Sequence, residues 1–223
     1  MLDSHLVPYQ NWGIKPILFD IFGFSVPSYS LFVFLGIVLG VLVYWSEVKK
    51  KKNYSENNLY ILLAALLGGA IGAKLVIIVI YWNELTWEII LYGKSIVGGL
   101  IGGTIGVLLA KKFLGIEKER KGNFFAPAIA LGVAVGRIGC FLRGCCYGKE
   151  TFLPWGIDFG DGVSRHPTQL YESLFMLGMF FYLRKRNKKN PSPGSSFDIL
   201  IISYFGFRFL IEFIRVEKII FLG

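Results

Sequence analysis

Arg137 lies inside an apolar run, Val135-Gly136-Arg137-Ile138-Gly139, and Arg208 lies inside another near the end of the chain. An arginine at bilayer depth costs at least ~2.5–3.5 kcal/mol on insertion scales, so a chain that keeps one there pairs it or uses it. Arg208 belongs to a series, Tyr204, Arg208, Glu212 and Arg215, spaced four, four and three residues apart. That spacing places all four on one helix face. An ion pair between Glu212 and an arginine, with Arg215 reaching for the interface, explains these charges as structure. The chemical reading is a cationic site for an anionic headgroup. The guanidinium fork stays charged and donates two parallel hydrogen bonds, which suits a phosphate. Two arginines from different helices facing one cavity would hold a phospholipid phosphate. Lys74 is a further cation in an apolar stretch.

The densest polar run is Arg165-His166-Pro167-Thr168-Gln169-Leu170-Tyr171-Glu172. Pro167 is placed to open a helix, because its missing N–H is one that a first turn leaves unbonded. The residues before it then sit at a membrane surface. His166, one of two histidines, reads either as a structural hydrogen-bonder or as an acid–base group. The three cysteines are Cys140, Cys145 and Cys146. Their spacing matches no zinc pattern and no His pair completes one, so no metal and no cofactor is expected. A Cys140–Cys145 or Cys140–Cys146 disulfide on an oxidising outer face and a set of buried thiols both stay open.

These groups need elements to hold them, and composition says which. Of 223 residues, 54% are hydrophobic and 17% charged, with a mean hydropathy of +0.55. A soluble domain of this length usually carries more charge. A spanning helix needs roughly 20 apolar residues. Six stretches come near that: about Tyr29 to Trp45, Leu59 to Trp82, Ser95 to Leu114, Phe124 to Leu142, Pro167 to Leu183 and Phe197 to Ile214. The expected fold is all-α, a polytopic membrane helix bundle with about six transmembrane helices. Residues 1–223 then form a single integral membrane domain. No basic stretch, short apolar run and small-residue cleavage site open the chain, so no cleavable signal peptide is expected.

Loop charges orient the bundle. Lys49 to Lys52 follow the first stretch. Lys111, Lys112, Lys118, Arg120 and Lys121 follow the third, and Arg184, Lys185, Arg186, Lys188 and Lys189 follow the fifth. The opposite loop, Asn83 to Lys94, holds one basic residue. The positive-inside rule makes the basic side cytoplasmic and puts the N-terminus outside. The Gly-rich segment 143–166 is then a small extracytoplasmic cap. Topology accounts for the net charge of +9, and no nucleic-acid motif is present, so nucleic acid is not an expected partner. Gly98, Gly102 and Gly106 recur every four residues, as do Gly99 and Gly103, and Gly68, Gly69 and Gly72 cluster upstream. Such faces let helices approach closely in lipid. A glycine pair also lets a headgroup reach the backbone.

In collinear order, several runs resemble the prolipoprotein diacylglyceryl transferase family. They are Pro27-Ser28-Tyr29, Gly136 to Phe141 with Gly144 and Gly148, Leu153-Pro154-Trp155, Arg165 to Glu172, and Tyr204 to Arg215. The resemblance implies an enzyme of the bacterial inner membrane. It would move the diacylglyceryl group of phosphatidylglycerol to the lipobox cysteine in the signal peptide of a preprolipoprotein, leaving glycerol phosphate. By the same resemblance Arg137 and Arg208 would hold the phosphate and neutralise the leaving group. Tyr29, Tyr204 and Glu212 would shape and polarise the site. Gly148, Arg165, Gln169, Tyr171 and Glu172 would form its mouth, with Gly98, Gly99 and Arg215 contributing to lipid binding.

The chain departs from the family pattern in places. Val97 stands where a histidine precedes the paired glycines, Cys140 where an asparagine is usual, Cys145 at a position often acidic, and Lys74 for an arginine. If the missing histidine serves as base for the thiol, His166 or Glu212 must replace it. A final span after Arg215 is also lacking, which reads as a minimal relative or a truncated frame. Two alternatives follow: a relative that takes another acceptor or binds lipid without transfer, and a transporter. The transporter reading predicts a repeat between the halves, and none is visible.

Overall fold

The structure is a computed structural model describing residues 12–21, 24–50, 56–86 and 95–216. The N-terminal stretch read for a signal peptide, Lys51 and Lys52, most of the 83–94 loop and the terminal 219–223 run lie outside the described residues. Six long helices are present among the described residues: α1 (Ser28–Lys50), α2 (Asn57–Ile80), α3 (Ile96–Phe113), α4 (Gly122–Arg143), α5 (Thr168–Asn187) and α6 (Ser195–Glu212). Each falls on one of the six apolar stretches. Strands β1 (Ile17–Ile21) and β2 (Phe24–Pro27) form an antiparallel hairpin ahead of α1. Strands β3 (Ile157–Asp158) and β4 (Ser164–Arg165) form another between α4 and α5.

Helices α1 to α4 are long and apolar enough to cross a membrane. Helices α5 and α6 are of similar length but more charged, through Glu172, Arg184, Lys185 and Arg186 on one and Asp198, Arg208 and Glu212 on the other. Large apolar side chains point outward, among them Phe34 and Leu42 on α1 and Leu67 and Val79 on α2. A soluble protein buries such faces; a bilayer solvates them. The chain is an all-α membrane helix bundle.

The chain divides into two compact units. One holds α2 and α3. Their backbones meet without intervening side chains: a Cβ on Gly72 would strike the Gly98 carbonyl oxygen and the Gly102 Cα, and one on Gly106 would strike the Ala64 carbonyl. Without a hydrophobic drive between helices in lipid, this close van der Waals contact is what binds the pair. Ser95 caps α3, its hydroxyl accepting from the Gly98 N–H at 3.1 Å.

The other unit holds β1, β2, most of α1, and α4 to α6 with the 143–166 segment. Helix α4 packs along α5, and α6 contacts both. Helix α1 crosses α4 at small residues, where a Cβ on Gly36 would lie 2.6 Å from the Gly132 carbonyl oxygen. Pro127 sits inside α4 and cannot donate to the Asn123 carbonyl four residues back. The Asn187 side chain, at the end of α5, donates to that carbonyl instead at 2.7 Å. Asn187 also bonds Glu47 of α1 at 3.1 Å and accepts from Ser196 of α6 at 2.7 Å, so one amide ties together four helices. Helix α6 stops at Glu212, and a turn carries Arg215 out of the helix to bridge Gly148 of the cap.

The glycine contacts discriminate between neighbours. Gly72→Val is expected to lower stability by about 1–3 kcal/mol, as overpacking does. Gly99→Ala should be nearly neutral, because its Cβ would meet Gly69 and Ala73 only at 3.6 and 3.7 Å. Thermal unfolding followed by circular dichroism in detergent checks both.

Candidate functional site

Three helices bring charges together at Glu172. Arg137 of α4 places Nε 2.9 Å from Glu172 Oε1, and Arg208 of α6 places Nη1 3.6 Å from Oε2. The Tyr204 hydroxyl donates to Oε1 at 2.9 Å. Arg208 Nη2 donates to Glu212 Oε2 at 3.2 Å, and Arg215 Nε lies 3.8 Å from the same oxygen. Glu172 is 2% exposed and Arg137 6%. Ions so deeply buried persist only when paired, because desolvation otherwise costs several kcal/mol each. Among the described residues, three guanidinium groups and two carboxylates line this chain of contacts.

Alignment matters as much as distance. Arg137 Nε and Arg208 Nη1 are buried and close to the Glu172 carboxylate, yet neither has an acceptor in line for a hydrogen bond. The attraction to Glu172 is therefore coulombic, and donor directions remain unused. An anion with several oxygens could take them up. Tyr29, in the first turn of α1, lies beneath the Arg143 guanidinium at 5.8 Å, and its backbone packs against Gly139 of α4. Gly98 and Gly99 belong to the α2–α3 unit, where Gly98 is taken up by packing against Gly72 and Val76.

The 143–166 segment folds over the start of α5. The Gly148 N–H donates to the His166 carbonyl at 2.8 Å and the Lys149 N–H to the Ile214 carbonyl at 2.7 Å, so isolated bridges tie the segment to the residues before α5 and to the turn after α6. A Cβ at Gly148 would come within 2.6 to 2.9 Å of Ile214, His166 and Thr168, which explains the glycine there. Thr168 and Gln169 donate to the Cys146 and Cys145 carbonyls, both at 2.6 Å. Tyr171 accepts from Trp155 at 2.9 Å and lies 3.2 Å from His166 Nδ1. His166 thus joins the Trp155–Tyr171 group of the segment. Arg165 grips the Asp161 carboxylate with both Nη atoms at 2.6 Å and lies 5.1 Å over the Tyr147 ring. Trp12 and Phe159 pack on the same ring.

Reading the residues in order placed Glu172 at a cavity mouth, whereas it is the hub of the ion network. Its position one turn into an otherwise apolar stretch was the available signal. The Glu47–Asn187–Asn123–Ser196 cluster was missed; Pro127 inside a helical stretch was the clue to it. The three cysteines remain thiols.

Helices long and apolar enough to span a membrane, together with a buried ion network in which two arginines converge, define an integral membrane protein with a candidate site for an anionic group. A family model described as prolipoprotein diacylglyceryl transferase matches residues 16–223. A phosphatidylglycerol–prolipoprotein diacylglyceryl transferase of Clostridium tetani is 34% identical over 214 residues, covering 91% of this chain and 86% of the relative. Its counterpart in Finegoldia magna is 35% identical over 214 residues, covering 91% and 84%. One from Clostridium perfringens is 30% identical over 215 residues, covering 91% and 84%. The chain belongs to the prolipoprotein diacylglyceryl transferase family, and it is a bacterial membrane protein.

Glu172→Ala should cost about 3–5 kcal/mol, since it leaves the buried Arg137 guanidinium without its carboxylate, while Arg208 keeps Glu212. Tyr204→Phe should cost about 1–3 kcal/mol, the loss of one hydrogen bond to a charged group. Chemical unfolding in detergent measures both. In the cap, hydrogen bonding from Arg165 holds the Asp161 carboxyl below its usual range. A depressed carboxyl stabilises the fold above its ordinary pKa and loses that contribution as pH falls through the lowered value. Tryptophan fluorescence of the cap should therefore hold steady through the ordinary carboxylate range and change only below it. Asp161→Asn should remove that acid transition.

Proposed function

We propose that the chain transfers the diacylglyceryl group of phosphatidylglycerol to the lipobox cysteine thiol of a preprolipoprotein, the first step of lipoprotein maturation. The carbon–oxygen bond to the glycerol phosphate breaks and a carbon–sulfur thioether forms. The thiol proton leaves, and glycerol phosphate departs as an anion. Growing negative charge on that leaving group needs cationic stabilisation where water is excluded. The observation carrying this reading is the pair Arg137 and Arg208. They come from different helices, converge on one carboxylate, and each retains a buried nitrogen without an aligned acceptor.

In this scheme Arg137 and Arg208 receive the phosphate, while Tyr204, Tyr29 and Glu212 shape and polarise the site. Arg215 adds positive charge at the end of α6. Gly148, Arg165, Gln169 and Tyr171 frame the entrance, and Glu172 spaces the two arginines. Gly98 is closed off by Gly72 and Val76, so of the two glycines only Gly99 would admit a headgroup to the backbone of α3. With Val97 in place of the family histidine, His166 or Glu212 takes the thiol proton. Residues 1–223 act as one integral membrane domain of six spans, with the N-terminus and the 143–166 cap outside the cytoplasmic membrane.

Purified protein in liposomes, given phosphatidylglycerol and a lipobox peptide, should add a diacylglyceryl mass to the peptide. Arg137→Ala and Arg208→Ala should each slow that transfer by about 10²–10³, the usual cost of one lost transition-state donor. Folded protein that binds phosphatidylglycerol and transfers nothing would refute the transferase reading and favour a lipid-binding relative, with Val97 as its cause.

A further inference from the structure

We propose that Cys140, Cys145 and Cys146 form a binding site for one thiophilic cation, Zn²⁺ foremost. Their three Sγ atoms lie within 4.8 Å of one another. None is in a disulfide. The proposal does not depend on the transferase reading.

The backbone is bent to make the cluster. Gly144 ends α4 with φ 78, and the Cys145 N–H bonds back to the Cys140 carbonyl at 3.1 Å. Cys146 then adopts φ 62, a left-handed conformation that side chains other than glycine's rarely take. Such a conformation persists only where the surroundings over-determine it. Here Gln169 and Thr168 do so, by holding the Cys145 and Cys146 carbonyls. The Cys145 thiol faces the Cys140 carbonyl at 3.6 Å. The result is three sulfurs gathered within 4.8 Å of one another rather than three unrelated side chains.

The chemistry fits a soft d¹⁰ ion. Zinc binds thiolate sulfur at about 2.3 Å, which sets the sulfurs of a tetrahedral site about 3.8 Å apart. The widest pair here needs to close by about 1 Å to meet that spacing, a change side-chain rotation supplies. Three thiols lose their protons to solvent as the ion enters, because the thiolate is the ligand. Three thiolates and one divalent ion leave one negative charge. Arg137 Nη1 lies 4.0 Å from Cys140 Sγ, so that charge sits beside a guanidinium shared with Glu172. Cys145 is fully buried and Cys140 nearly so, while Cys146 is half-buried, leaving that side for a fourth ligand such as water. Hard cations such as Mg²⁺ and Ca²⁺ prefer oxygen and are excluded by this donor set.

The test uses the full chain in detergent, reduced and stripped of metal, titrated with Cd²⁺ and then with competing Zn²⁺. One Cd²⁺ per chain should bind, with an ultraviolet sulfur-to-cadmium charge-transfer band that Zn²⁺ bleaches. Bound Zn²⁺ should also protect the three thiols from an alkylating reagent, a readout on the unsubstituted chain that no folding defect can mimic. Cys145→Ser and Cys146→Ser should each lose the band while keeping the helical circular dichroism. Absence of the band with all three thiols reactive would overturn the proposal. So would a band that survives both substitutions, or protein isolated without reductant that carries a disulfide between two of the three.

Discussion

A single buried carboxylate governs this structure. Glu172 holds Arg137 from one helix and Arg208 from another, and accepts the Tyr204 hydroxyl besides. Remove it and the buried Arg137 guanidinium loses its counter-charge, while Arg208 is left with Glu212 alone. The network adds one charge to α5, Glu172, and two to α6, Arg208 and Glu212; the other charges of α5, Arg184 to Arg186, lie in its last turn. The network in turn gives both helices a reason to stay beside α4. The contacts that join α4, α5 and α6 are also the ones that space the two arginines, which is why the hub cannot be traded for leucine without losing that pair.

The remaining elements are held in three other ways. The α2–α3 pair relies on glycine faces that let backbone touch backbone. At the far end of α4 from Arg137, polar groups replace that contact, with Asn187 bonding Glu47, Asn123 and Ser196 at once. The cap uses a third device, short strand pairings from Gly148 to Arg215 and from Ile157 to Arg165, closed by the Arg165–Asp161 grip and the Trp12, Tyr147 and Phe159 rings. These pairings fix where α5 begins relative to where α6 ends, and so the spacing of Glu172 and Arg208.

Much of this was legible from residue order. Hydropathy located all six helices to within a few residues, since a span is a matter of length and polarity. The four-residue rhythm of Tyr204, Arg208 and Glu212 announced a shared face, and the lone charge of Arg137 announced a partner. What residue order could not say was which carboxylate that partner would be. Glu172 and Glu212 are both within reach by type, and only packing chooses. Arg215 was read as part of the helix face, but the turn after Glu212 sends it to Gly148. Asn187 and Glu47 are 140 residues apart, and no local pattern links them. The convergence of the cysteines depends on left-handed backbone at Gly144 and Cys146, which spacing alone does not reveal.

The pairing of Arg137 with Glu172 also bears on how the chain enters a membrane. Helix α4 is synthesised before α5, and it carries two groups that α5 partners: the Arg137 guanidinium and the Asn123 carbonyl orphaned by Pro127. Alone in lipid, α4 bears the ~2.5–3.5 kcal/mol insertion cost of its arginine with nothing to offset it. The offset arrives with the hairpin's second arm, at both of its ends at once. Helices α4 and α5 therefore leave the translocation machinery most favourably as a couple, and the segment between them must fold at the surface while that couple is forming.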